Sequence, residues 1–171
     1  MPTITTAIRF AEQKDATALA SVHEAAWRGA YAGIIPHACL NAIIGRRHFD
    51  WWIRAIQSGA GILVVDYCGE TVGYATMGRN RTEALAVSGE IYELYLKPAY
   101  QGVGFGRRLF SASQKLLRER DLAPHVVWAL ADNELATGFY ERMGGMPFAE
   151  GEECFSDKRL RKIAYTWPAA R

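Results

Sequence analysis

The stretch Tyr95-Leu-Lys-Pro-Ala-Tyr-Gln-Gly-Val-Gly-Phe-Gly-Arg-Arg-Leu109 constrains the fold more than any other part of the chain. Glu90 to Leu96 is rich in β-formers, and Pro98 ends that run because it lacks a ladder donor. Leu109, Ala112, Ser113, Leu116 and Leu117 then recur at helical spacing. The chain therefore passes from strand to helix through Gly102, Gly104 and Gly106. Glycines allow close approach of backbone to a ligand, and the first turn of a helix has amide hydrogens without internal partners. With Arg107 and Arg108 at its mouth, the turn is expected to cradle an anion, and a diphosphate fits best. A P-loop would need Gly-Lys-Ser/Thr, which is absent. A dinucleotide fingerprint would need a third glycine where Arg107 stands.

The remaining pattern is mixed. Ile8 to Phe10 reads as a strand, and residues 16–28 read as an amphipathic helix behind Asp15 as N-cap, with Leu19, Val22, His23 and Ala26 on its apolar stripe. Phe49, Trp52, Ile53 and Ile56 mark a second helix that stops near Gly59 and Gly61. Ile62–Tyr67 and Thr71–Met77 form a hairpin through Cys68-Gly69-Glu70. After the glycine turn and its helix come a strand at Val126–Leu130 and a helix capped by Asp132 or Asn133. That helix should bury Leu135, Phe139 and Met143 and end at Gly144-Gly145, and one or two strands follow, the last at Arg159–Trp167. Hairpins followed by a strand–helix–strand unit give an α/β fold of three layers around one mixed sheet.

Composition narrows the partners. The 171 residues suit a single domain spanning residues 1–171, and a net charge of +2 with no basic run argues against a nucleic-acid or membrane partner. The N-terminus lacks the charged and apolar regions of a signal peptide, and no apolar run reaches the ~20 residues of a membrane span, so a cytoplasmic location is expected. Cys39, Cys68 and Cys154 are scattered and odd in number, which speaks against a disulfide framework or a cysteine metal site and for buried or half-buried thiols.

Gln101-x-x-Gly104-x-Gly106 between a strand and a helix resembles the acetyl-CoA loop of the GNAT superfamily of N-acetyltransferases. Glu90-Ile-Tyr-Glu93-Leu-Tyr-Leu-Lys-Pro looks like that family's fourth strand, and Asn133-x-x-Ala136-x-x-Phe139-Tyr140-Glu141-x-x-Gly144 looks like the helix that follows. Trp27-x-x-Ala30-Tyr31-x-Gly33-x-Ile35-Pro36 is similar to the family's opening. The resemblance covers nearly the whole chain and is most specific from 90 to 148. Gly144-Gly145-Met146 departs from the Gly-Phe of many relatives. Val126–Leu130 also lacks the glutamate often found there in N-terminal acetyltransferases of the ribosomal type.

The resemblance implies a GNAT-like fold: a mostly antiparallel sheet, a splayed parallel pair and flanking helices. It also implies direct attack of a primary amine on acetyl-CoA, with no metal. A small-molecule amine acceptor is the leading expectation and a protein or peptide amine the alternative. A CoA-binding domain without chemistry belongs to a different class, and a homodimer enters only by analogy. The cofactor would be held by Leu94, Tyr95, Leu96, Gln101, Gly102, Val103, Gly104, Phe105, Gly106, Arg107 and Asn133. An aliphatic ammonium, with a pKa near ~10.4, must lose a proton before attack, and a carboxylate suits that task. Glu90 and Glu93 are the candidates, and strict alternation would put them on opposite faces. Glu90 matches the base of the histone-type branch, while Glu93 lies nearer the thioester. A strand amide near Leu94 would face the developing oxyanion. Tyr140 matches the tyrosine that serves the leaving thiolate. His23 reads as a core or pocket-wall residue, and Trp27, Tyr31, Trp51 and Trp52 as core or acceptor-pocket walls.

Overall fold

The computed structural model describes residues 4–168. Its strands are β1 (Thr6–Phe10), β2 (Gly61–Tyr67), β3 (Glu70–Arg79), β4 (Gly89–Leu96), β5 (His125–Leu130), β6 (Met146–Phe155) and β7 (Lys158–Thr166). Its helices are α1 (Ala16–Tyr31), α2 (His37–Arg46), α3 (Phe49–Gln57), α4 (Phe105–Glu119) and α5 (Glu134–Arg142). The strands form one sheet in the order β1-β2-β3-β4-β5-β7-β6. All neighbours run antiparallel except β4 and β5.

That parallel pair joins only Gly89–Ile91 to His125–Val127. Beyond Ile91, β4 stays with β3 and leaves its other edge open. The glycine turn follows at the end of this open edge.

Helices cover both faces of the sheet, which explains why Ile62 to Val65 is buried without alternation. On one face α4 inserts Leu109, Phe110, Leu116 and Leu117 among Val65, Ala75, Ile91 and Val127, and Phe139 and Tyr140 of α5 join the same cluster. On the other face, α1 and α3 bring Leu19, Val22 and Trp52 against Ile62, Val64 and Tyr74. Arg9 ties β1 to this layer, reaching Asp15 and Asp66 at 2.8 Å each. Asp15 precedes α1 without capping it. Its carboxylate is taken by Arg9, which holds it below the usual carboxylate range, and by the Glu12 amide.

Three sequence expectations change and one is sharpened. The helix α2 lies where no helix is predicted; it buries only Leu40 and Ile44, too short a stripe to show as periodicity. Two strands, where one or two are expected, close the chain, and the first, β6, gives no apolar alternation because it sits at the sheet edge and is mostly exposed. In α5 the inward face is Ala136, Phe139, Tyr140 and Met143, whereas Leu135 is 60% exposed. Cys68 and Cys154 are exposed, and only Cys39 is half-buried.

His23 and His125 are buried. Among the described residues neither ring nitrogen of His23 has a hydrogen-bond partner, and His125 stacks on Trp167 at 4.9 Å with planes 7° apart. Burial pushes both imidazoles down to about 4. Between pH 6.5 and 4 the unfolded chain therefore binds more protons than the folded one. Their contribution to stability is full above pH 6.5 and is lost as pH falls toward 4. Each histidine accounts for roughly 3 kcal/mol at most. The thermal midpoint should fall from pH 7 to 4.5, and the fall should be shallower in His125→Phe; parallel slopes would remove His125 from the account.

Candidate active site

Six consecutive amides, from Gly102 to Arg107, have no hydrogen-bond acceptor among the described residues. Arg108 is the first to bond back, to the Gly104 carbonyl at 3.2 Å. Gly102 and Gly104 take φ of 77° and 98°, a left-handed region that favours glycine. The Gln101 side chain steadies the turn by donating to the Leu96 carbonyl at 3.3 Å. The result is a concave row of donors at a helix N-terminus, suited to an anion.

A cavity of about 270 Å³ opens beside this row. Leu94, Tyr95 and Leu96 line it from the open edge of β4, and Gln101, Gly102, Gly104, Gly106 and Arg107 line it from the turn. Asn133, Phe139, Tyr140 and Arg142 close it from α5. Asn133 also caps α5 by accepting from the Ala136 amide at 3.2 Å. The side chains of Val103 and Phe105 do not reach the cavity. Val103 is exposed and Phe105 is in the core, so these two positions can contribute only backbone amides.

Tyr140 is buried, touching Phe110, Phe139, Tyr165 and Trp167 by its ring. Its hydroxyl makes no hydrogen bond among the described residues while the residue lines the cavity. Burial, reinforced by nearby Tyr31, raises its pKa and keeps the phenol protonated at neutral pH.

A second cavity, of about 1010 Å³, lies on the α1–α3 side of the sheet. Tyr95 lines both cavities, and its hydroxyl meets that of Tyr31 at 2.6 Å where they adjoin. Glu90 and Glu93 both line this second cavity, against the expectation of opposite faces. The reason is a β-bulge: the register steps from Thr76↔Glu93 to Met77↔Ile91, leaving Tyr92 as an extra residue that resets the alternation.

The two glutamates differ in their partners. Glu90 is 2% exposed and accepts from the Arg81 amide at 3.0 Å and from its guanidinium at 2.6 Å, which clamps the β3–β4 connection. Glu93 accepts from Arg47 at 2.8 Å, Tyr74 at 2.9 Å and Thr76 at 3.3 Å. A carboxylate has about four acceptor sites, so Glu93 keeps room for one more donor, an ammonium or a water. Glu93 is also two residues from Tyr95, at the meeting of the cavities, whereas Glu90 is farther along the strand. Arg47 stacks 3.8 Å above the Trp51 ring centroid, which fixes the guanidinium. Sequence reasoning missed Arg47 because it follows the unrecognised α2. Tyr74 and Thr76 were legible in principle, since hairpin pairing places both near Glu93.

His23 lies behind this cavity, between Trp27 at 5.3 Å and Trp52 at 6.3 Å, and does not line it. Trp52 is core, while Trp27, Tyr31 and Trp51 are cavity walls.

The Acetyltransferase (GNAT) family profile matches residues 19–145. The uncharacterized N-acetyltransferase YuaI of Bacillus subtilis (strain 168) is 30% identical over 162 residues, covering 94% of this chain and 92% of that protein. A mycothiol acetyltransferase of Streptomyces avermitilis is 27% identical over 127 residues, which is 71% of this chain but 39% of that protein. The crystal structure of the PaiA N-acetyltransferase of Thermoplasma acidophilum in complex with coenzyme A superposes with a TM-score of 0.77 at 18% identity. It covers 95% of this chain and 99% of that one, a likeness of fold.

Proposed function

Because the chain belongs to the acetyltransferase (GNAT) family, we propose that it moves an acetyl group from acetyl-CoA to the primary amine of a small molecule. The observation that carries this reading is the shared wall at Tyr95, where a donor-lined cavity meets one holding an ordered carboxylate.

The first cavity fits CoA. The row of free amides from Gly102 to Arg107 suits a diphosphate, Arg107 and Arg142 add positive charge, and the open edge of β4 at Leu94–Leu96 suits an amide-bearing arm. Acetyl-CoA supplies a thioester carbonyl as the electrophile. Glu93, directly or through a water, takes a proton from the incoming ammonium. The amine nitrogen then bonds to the carbonyl carbon as the carbon–sulfur bond breaks. The departing sulfur takes its proton from Tyr140, the second proton lost by the acetylated nitrogen passes through solvent to restore the Tyr140 phenol, and Glu93 releases its own proton to solvent. Glu90 is assigned to holding the β3–β4 connection, since both its oxygens are engaged by Arg81. The concave second cavity, with aromatic walls at Trp27, Trp51 and Trp128, supports a small acceptor.

Calorimetry should show CoA and acetyl-CoA binding far more tightly than NAD or ATP, and thiol release should depend on added amine. Gly106→Ala separates fold from binding. Its new methyl would meet Phe139 at 3.4 Å and Leu96 at 3.6 Å, an ordinary contact, so the fold should tolerate it. Helix propensity would even rise by up to ~1 kcal/mol. The methyl would intrude on the cavity, and CoA affinity should drop roughly tenfold. Gly104→Val is less clean, because φ of 98° would add backbone strain. Undiminished CoA affinity in Gly106→Ala would move the cofactor elsewhere.

A further inference from the structure

The polar groups of the acceptor cavity are unevenly satisfied. Each of its three carboxylates is already paired: Glu93 with Arg47 at 2.8 Å, Glu90 with Arg81 at 2.6 Å, and Glu153 with Lys162 at 2.9 Å. The donors are in surplus. The Arg54 side chain, on α3, lines the cavity with no ion pair or hydrogen bond among the described residues. Four cations, Arg47, Arg54, Arg81 and Lys162, line the cavity against three carboxylates, so a ligand that brings an anionic group completes its charge balance.

A second ammonium, by contrast, would meet no carboxylate free of a cation, and would be drawn from water without compensation. Taking the second cavity as the acceptor site, as proposed above, we infer that its acceptor is an amine on an aromatic or apolar body that also bears a carboxylate. The amine would face Glu93 and the carboxylate would face Arg54. The transfer is unchanged: the ammonium loses a proton, nitrogen takes the acetyl group, CoA leaves as the thiol, and the carboxylate stays intact. The aromatic walls, with Trp51 already stacked on Arg47, supply the flat contact surface for the body.

Three amines on one ring test this: benzylamine, 4-(aminomethyl)benzoate and 1,4-bis(aminomethyl)benzene. Binding to the CoA-loaded protein is read by tryptophan fluorescence, and transfer is read by thiol release. The expected order in both is carboxylate, then neutral amine, then diamine, with about tenfold between the first two from a charge-assisted contact. Arg54→Gln, an exposed position whose loss should not disturb folding, should raise KM for 4-(aminomethyl)benzoate to that of benzylamine. It should leave kcat and the benzylamine values unchanged. Equal binding of the three, absence of binding by all, a preference for the diamine, or an unchanged preference in Arg54→Gln would each overturn the inference. Ordered binding without any acetyl transfer would support it and sink the amine-acetylation reading instead.

Discussion

Glu93→Gln is expected to lower kcat/KM for amine acetylation about 100-fold or more at pH 7, the scale of a lost general base. Glutamine preserves the shape: its oxygen can still accept from Arg47 and Thr76 while its amide donates to the Tyr74 hydroxyl, so the loss should appear in turnover more than in folding. Activity should recover in part at higher pH, where more of the amine is free without help. Glu90→Gln provides the contrast. It weakens the contact with Arg81 that holds the β3–β4 connection, so it should lower stability and leave the pH profile of turnover in place. If Glu90→Gln shows the pH-dependent loss and Glu93→Gln does not, the two assignments must be exchanged.

Tyr140→Phe should lower kcat by about 100-fold while leaving CoA affinity and the thermal midpoint nearly unchanged. The structure explains the separation. The ring supplies the contacts with Phe110, Phe139 and Trp167, and phenylalanine retains it. The hydroxyl has no partner among the described residues, so its removal strands no buried group. Burial keeps it protonated, the state a proton donor needs. With an acetyl donor whose thiol is more acidic, the defect should shrink, because that thiolate needs less stabilisation. An equal defect with both donors, with chemistry rate-limiting, would reduce Tyr140 to a packing residue.

The sequence by itself determined the glycine turn and its row of free amides. A strand ended by Pro98, three glycines at fixed spacing and a helix with a periodic apolar face are local features, and local features fix backbone conformation. The free amides from Gly102 to Arg107 follow from that conformation whatever the neighbouring side chains are. Tyr140 was legible for the same reason, through its place in a short helical motif, although its burial was not. The stripe read as Leu135, Phe139 and Met143 is shifted in the structure to Ala136, Phe139, Tyr140 and Met143. Which helix face turns inward depends on what it packs against.

The second cavity was decided by tertiary structure. Strict alternation separates Glu90 from Glu93, and only the bulge at Tyr92, set by the register with β3, brings both into one cavity. Arg47 is 46 positions from Glu93 in the chain and reaches it because α2 and α3 fold over the sheet. The surplus of cations over carboxylates in the second cavity is a property of distant segments converging, and it has no local signature. Backbone geometry is written in short stretches of sequence. The charge balance of a cavity is a sum over contacts between segments, and it exists only once the chain has folded.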